Sequence, residues 1–279
     1  MNEIVLGFEA VSLRLGGRSV LAGVDLTLFA GEVLGLLGAN GAGKTSLLRI
    51  ATGVLAPDAG AVRLFGRPLE EFSRAERARR IALVPQRSEV PFPFPAAEIV
   101  RMGRAPHLGL LGFESREDVA LADRAMEEVG IRELARRSIV ELSGGEQQLV
   151  AIARGLVQAT PILLLDEPTA FLDLRHRVHV LRLVRGLARA GGAVLVVSHD
   201  LGLAARFCDR LALLCAGRVL AAGIPAEVLT PSHLAAAFGI KATVFHAPDG
   251  TPLVLPEGDA RGGESQVRVP DEHRSKNQS

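Results

Sequence analysis

Eight consecutive residues, Gly38-Ala-Asn-Gly-Ala-Gly-Lys-Thr45, constrain this chain more than anything else in it. They follow a short apolar run, EVLGLL (Glu32 to Leu37), and lead into Lys44 to Thr52, which reads as a helix. Glycines at such a strand-to-helix turn let successive backbone N–H groups curl around phosphate oxygens, and the helix N-terminus adds its positive end. In the G-x-x-x-x-G-K-[ST] spacing Lys44 reaches the β- and γ-phosphates and Thr45 ligates Mg²⁺. Composition supports that use of the lysine. Of 32 basic residues only Lys44, Lys241 and Lys276 are lysine and 29 are arginine, so a merely solvated cation here would ordinarily be arginine. A compact ammonium suits a crowded phosphate site better than a planar guanidinium.

The surrounding pattern is that of a parallel α/β sheet. PILLLD (Pro161 to Asp166) and AVLVVS (Ala193 to Ser198) are short continuous apolar runs, as expected of strands buried on both faces. Between them Leu174, Val178, Leu181, Val184 and Ala188 recur at helical spacing, with Gly191 as a stop. Asp166 and Glu167 stand at the carboxyl end of PILLLD, where open α/β sheets bind ligands. Asp166 can hold the Mg²⁺ shell while Glu167 addresses an attacking water as general base. From about Arg87 to Leu142 helices and loops are expected, including a helix from Ser115 to Arg137, which makes this stretch an α-helical insertion. RLALLCAGRVLAAG (Arg210 to Gly223) reads as two strands joined at Ala216-Gly217, followed by helical pieces to about Phe238. Beyond about Glu257 the sequence is polar and reads as a disordered tail.

Leu142-Ser-Gly-Gly-Glu-Gln147 carries a second phosphate-binding device. Ser143 and Glu146 have capping-box spacing ahead of an apolar-periodic helix, and Gly144 and Gly145 expose backbone N–H groups at its N-terminus. One chain thus presents two anion sites.

Several function classes find no support. With 32 basic against 31 acidic residues, a net charge of +1, there is no electrostatic footprint for nucleic acid or an anionic membrane. Two cysteines, Cys208 and Cys215, have no metal-ligand spacing and read as buried thiols in a reducing compartment. His176 and His179 sit beside several arginines and read as a solvated helix face rather than a metal pair. No run approaches bilayer-spanning length, and MNEIVLGFEA lacks the marks of a signal peptide, so a soluble cytoplasmic product is expected.

In the order of its motifs (GANGAGKT, LVPQ, LSGGEQ, LLLDEPT, AFLD, SHD) the sequence resembles the nucleotide-binding subunit of ATP-binding-cassette (ABC) transporters from about residue 3 to 240. That resemblance implies a P-loop NTPase fold: a RecA-like parallel core with an N-terminal antiparallel β part and an inserted α-helical subdomain at about 87–142. A C-terminal extension over 241–256 and a disordered tail over 257–279 complete the expected organisation. It implies ATP and Mg²⁺ as ligands and a head-to-tail homodimer, each ATP lying between the P-loop of one copy and the LSGGEQ signature of the other. Carried over by motif, Gly38, Ala39, Asn40, Gly41, Ala42, Gly43, Lys44, Thr45 and Ser46 cradle the nucleotide. Ser143, Gly144, Gly145, Gln147 and Asp173 address the opposite one. Thr45, Gln86 and Asp166 serve the metal; Glu167, His199, Gln86 and Lys44 serve catalysis.

Two positions depart from the family pattern. The early strand carries Leu13 or Leu15 where an aromatic residue usually stacks on adenine, and the helix after the signature has Leu149 where arginine is frequent. Pro91-Phe-Pro-Phe-Pro95 with AEIVRMGRAPH (Ala97 to His107) is similar to subunits importing iron chelates, haem or cobalamin. Phe92 and Phe94, if exposed, would offer an apolar patch to the coupling helix of a permease. The expected assembly is two copies beneath transmembrane permease subunits at the inner face of the cell membrane, indirectly served by a substrate-binding protein, with no nucleic acid. A soluble ABC ATPase of DNA repair, translation or cofactor assembly is the alternative; a plain P-loop kinase or GTPase is a third reading, opposed by the signature.

Overall fold

The computed structural model describes residues 3–86, 92–108 and 112–259. Arg87, where the insertion was expected to begin, Pro91, and the tail from 260 lie outside the described residues. The chain opens with a long hairpin, β1 (Ile4–Leu15) and β2 (Arg18–Phe29), turned at Gly16-Gly17, followed by β3 (Val33–Leu37) and α1 (Lys44–Ala51). Next come β4 (Ala59–Leu64), β5 (Arg67–Pro68), α2 (Arg74–Ala78) and β6 (Ile81–Val84). Three helices follow without a strand among the described residues, α3 (Ala96–Arg101), α4 (Arg116–Glu128) and α5 (Gly144–Val157). The remainder alternates: β7 (Ile162–Asp166), α6 (Leu174–Arg189), β8 (Ala193–Val197), α7 (Leu201–Phe207), β9 (Arg210–Cys215) and β10 (Arg218–Gly223). It closes with α8 (Pro225–Val228), α9 (Pro231–Phe238) and the hairpin of β11 (Ile240–His246) and β12 (Pro252–Asp259).

The central sheet runs β10–β9–β3–β8–β7–β6, parallel except for β10. A second, antiparallel sheet has the order β2–β1–β4–β5. All five residues of β3, β7 and β8 are buried, and their alternation divides the core between two layers. Leu34, Leu36, Leu164, Leu195 and Val197 pack with β1, β2 and α1; Val33, Leu37, Leu163, Leu165, Val194 and Val196 pack with the helical insertion and α6. Cys208 presses on β3 so closely that a Cβ on Gly35 would lie 2.9 Å from its sulfur and 2.6 Å from Leu211. Burial pushes the Cys208 thiol up to about 12, an inert sulfur.

Two expectations change, and one strand was not foreseen. The helix expected over Ser115 to Arg137 stops at Glu128, because Gly130 turns left-handed (φ +75°) and Arg132–Leu134 forms a separate short 3₁₀ turn. Its start is as read: Ser115 and Asp118 form a capping box, and Arg104 donates to Asp118 at 2.7 Å. Glu257, Gly258 and Asp259 belong to β12 rather than to a disordered tail. The ladder Ile240↔Asp259 and Lys241↔Gly258 pairs backbone groups, and Thr243 Oγ1 donates to the Glu257 carboxylate beside it, so polar side chains are accommodated there. β6, whose four residues IALV gave no separate signal, occupies the edge of the parallel sheet. Among the described residues, no helix is long and apolar enough to cross a membrane.

Candidate functional site: a phosphate loop and a separate capped helix

Between β3 and α1 the backbone follows a path that only glycine can take. Gly38 (φ +150°) would place a Cβ 2.3 Å from the Leu214 carbonyl oxygen, and Gly43 (φ +107°) would place one 2.6 Å from Leu21 and 2.8 Å from the Val20 carbonyl oxygen. Gly43 is also the N-cap of α1, and having no side chain it leaves the helix N-terminus open to an anion. Lys44 folds back over the loop and is nearly buried, its Nζ donating to the carbonyls of Gly38 at 2.7 Å and Ala39 at 3.0 Å. Burial lowers its pKa, against the pull of Glu167 and Asp166.

Three adjacent strands deliver the acid–base groups. Asp166, last in β7 and buried, accepts from Thr45 Oγ1 at 2.8 Å; desolvation raises its pKa, and the hydrogen bond from Thr45 works against that shift. Glu167 follows in left-handed backbone (φ +51°), a costly conformation of about 1–3 kcal/mol for a side chain of this kind. Its carboxylate is gripped from both sides. Gln86, just beyond β6, donates Nε2 to Oε2 at 2.6 Å, and His199, just beyond β8, sets Nε2 2.5 Å from Oε1. Since a carboxylate only accepts, this arrangement calls for a proton on His199 Nε2. A cavity of about 640 Å³ joins these groups to the loop, lined by Asn40 to Ser46, Gln86, Glu167 and His199, with Leu15 and Val20 at its wall. Leu15, not Leu13, therefore faces the site; Leu13 is buried in the core beneath β2.

None of Ser143, Gly144, Gly145, Gln147 or Asp173 lines that cavity. Ser143 caps α5 as its spacing predicts: its Oγ accepts from Glu146 N at 3.3 Å, while Glu146 Oε2 accepts from Ser143 N and Oγ, each at 2.7 Å. Those bonds hold the Glu146 carboxyl below its usual range. Gly144 has open space where a Cβ would stand, and Gly145 lies against the Phe171 carbonyl, 2.9 Å from a would-be Cβ. Gln147 has its amide occupied within the chain, donating to the carbonyls of Ile139 at 3.0 Å and Leu142 at 3.1 Å. Asp173 caps α6, accepting from His176 N at 2.8 Å with His176 Nδ1 at 2.9 Å. Leu149 is 4% exposed among α3–α5 core residues, so an arginine there would need a buried partner.

Other contacts escape sequence reading. Arg177 donates Nε to the Leu172 carbonyl at 2.7 Å and lies 3.9 Å from Asp200, so it touches both the loop before Asp173 and the residue after His199. His179, read as solvated, places Nε2 2.6 Å from the Glu128 carbonyl and ties α6 to the end of α4. Among the described residues no group of three His, Cys, Asp or Glu could hold a metal by itself. Phe92 and Phe94 are exposed, packed edge to face at 6.2 Å.

Phosphate loop, strand-end acids and capped helix define a nucleotide-binding cassette, and the chain belongs to the ABC transporter family, whose model matches residues 21–170. Among its relatives, the hemin import ATP-binding protein HmuV of Streptomyces coelicolor is 48% identical over 260 residues, covering 91% of each chain. The cobalamin import ATP-binding protein BtuD of Halobacterium salinarum is 41% identical over 270 residues, covering 95% of this chain and 67% of the relative. The fold superposes on a metal-chelate type ABC transporter in an inward-facing conformation (TM-score 0.78, 26% identity, 91% of this chain and 98% of that one). It also superposes on a dimeric bacterial ABC transporter cassette (TM-score 0.72, 27% identity, 79% and 98%).

Proposed function

We propose that this chain is the ATP-hydrolysing subunit of an ABC importer that takes up a metal chelate, haem, cobalamin or an iron–siderophore, through a partner permease. The observation that carries the ATPase reading is the convergence of Gln86, Glu167 and His199 on one side of a glycine loop that holds Lys44 and Thr45. The names of the relatives support the cargo class. Residues 3–240 form the ATPase unit, with the helical subdomain inserted at about 87–142 and a C-terminal extension after it. Two copies pair head to tail, a reading supported by the signature residues of a single chain not lining its own phosphate cavity. The pair sits under a two-subunit permease at the cytoplasmic face of the membrane, fed by a substrate-binding protein, and Phe92 and Phe94 offer the permease an apolar contact.

In the chemistry, backbone N–H groups of residues 39–46 and the Lys44 ammonium bind the β- and γ-phosphates. Glu167, oriented by Gln86 and His199, positions the attacking water and takes its proton; His199 then faces the γ-phosphate as a hydrogen-bond donor. A hydroxyl and a carboxylate 2.8 Å apart suit a hard divalent cation that keeps water and phosphate as its other ligands. Thr45, Asp166 and Gln86 would hold Mg²⁺, which supplies charge neutralisation on the phosphates when bound.

The test is reconstitution with a candidate permease in proteoliposomes supplied with haem, cobalamin or a ferric siderophore. ATP-dependent uptake of one of the three is expected. Hydrolysis that no membrane partner stimulates, together with copurification on ribosomes or DNA, would favour the soluble alternative.

A further inference from the structure

The seam between α4 and α6 holds two cavities that share no lining residue with the nucleotide cavity. One, of about 390 Å³, is largely hydrocarbon, with Leu156 of α5 across from Leu183 and Leu187 of α6. The other, of about 880 Å³, takes Arg175, His176 and Arg182 from α6 and Glu133 from the facing turn. They meet at His179 and Arg182, which line both; His179 is the residue whose Nε2 lies 2.6 Å from the Glu128 carbonyl. The order along α6 explains the division. Arg175, His179, Arg182 and Gly186 succeed one another by four, three and four positions, so they form one stripe on the helix. The stripe is cationic up to Arg182 and then bare, because a Cβ on Gly186 would meet nothing within 4 Å. Leu183 and Leu187 stand beside that gap.

Charge separates the two ends further. Leu174 to Arg189 carries five arginines and no acidic residue. Arg177 lies near Asp200 and Arg185 donates to the Arg206 carbonyl, whereas Arg175 and Arg182 enter no ion pair among the described residues. Glu128 and Glu133 border the seam, and among the described residues no ion pair joins either of them to α6. A pocket with an apolar end and a cationic mouth selects a molecule divided in the same way. A guanidinium holds a carboxylate by charge-assisted hydrogen bonds, and a leucine-lined wall rewards a hydrocarbon chain by burial. We propose that this seam binds a single-chain amphiphile with a carboxylate head, of the fatty-acid class. Its head lies at Arg182, in the field of Arg175, and its chain runs past Gly186 between Leu156 and Leu187.

Isothermal titration of the intact chain with dodecanoate and with dodecyltrimethylammonium, both below their critical micelle concentrations, tests it. Dodecanoate should bind saturably at a single site, and the cation of equal chain length at least roughly tenfold more weakly, because it cannot accept from a guanidinium. Arg182→Gln should weaken dodecanoate by roughly tenfold or more and leave the cation no worse bound. Gly186→Leu places a better helix former where the backbone has room, fills the apolar end, and should abolish saturable binding of dodecanoate. ATP binding, measured on the same samples, should match the wild type in both variants and reports that each is folded. Dodecanoate bound no better than the cation, or bound unchanged by both substitutions, would be adventitious adsorption and would overturn the proposal, as would the absence of saturable binding. Loss of ATP binding in the wild type would count against the ATPase reading and not against this one.

Discussion

The two anion-binding regions of this molecule are built on opposite plans. Around Glu167 the charged groups have partners inside the chain: Lys44 on two carbonyls, Asp166 on Thr45, Glu167 between Gln86 and His199. That region has a buried acid, Asp166, whose pKa burial raises, together with strained backbone at Glu167 and a cavity. Around Ser143 the bonds finish a helix end, and Gly144 opens onto space. On the proposed function, the first is the reaction centre and the second a surface presented to the nucleotide of the opposite copy. A single chain therefore carries preorganised chemistry at one end and presentation at the other.

Perturbing each end in turn gives different outcomes. The largest effect is expected from Glu167→Gln, which keeps the shape but removes the proposed base and leaves an amide NH2 facing one of the two donors, Gln86 or His199. Turnover should fall by about 10²–10⁴ with nucleotide binding retained, measured by phosphate release and equilibrium binding. Ser143→Arg should cut turnover of the assembled protein by about 10² or more, through lost contact with the opposite nucleotide. Loss of the cap costs about 0.5–2 kcal/mol besides. Nucleotide binding by the dilute monomer should not change; if it weakened as much as turnover, the two regions would not be separate. Arg177→Ala frees the Leu172 carbonyl and the neighbour of His199 together. A several-fold fall in kcat with little change in KM is expected, and an unchanged kcat would leave Arg177 a packing residue.

The smallest effect lies far from both regions. Hydrogen bonds from Ser115 and Arg104 hold the Asp118 carboxyl at about 2 in the folded chain, against 3.8 for the free side chain. A carboxyl depressed on folding stabilises above its unfolded pKa, and that stability is lost as pH falls through the folded value. Acid unfolding between about pH 4 and pH 2 should therefore be shallower in Asp118→Asn than in the wild type, with both measured by circular dichroism.

How much was legible in the sequence follows from where each contact lives. Gly38 to Thr45 and the pair Asp166–Glu167 are local: the chemistry sits in contiguous residues at a strand end, so pattern and spacing suffice. The capping box of Ser143 and Glu146 is local for the same reason. Gln147 is not, because its amide is claimed by carbonyls five and eight residues away whose position depends on tertiary packing. His179 finds its acceptor 51 residues away. The choice between Leu13 and Leu15 hangs on irregular pairing between β1 and β2, with register shifts on both sides of Leu13. Composition set the polar tail too early because β12 continues by backbone pairing through Asp259, with the Glu257 carboxylate accepting from Thr243 on the facing strand.

The exposed Phe92–Phe94 segment is stitched by its backbone to the stretch that leads into Ser143. Ile139 N donates to the Phe94 carbonyl at 2.9 Å, Ala96 N to Arg137 at 2.9 Å and Ala97 N to Ala135 at 3.0 Å. From Ile139 a single turn reaches the start of α5, and the Gln147 amide clamps that turn from the other side. A force applied to the two rings is thus delivered through a few short, stiff links to the glycines of α5. On the proposed function, a tilt at the rim would change the aim of the helix end.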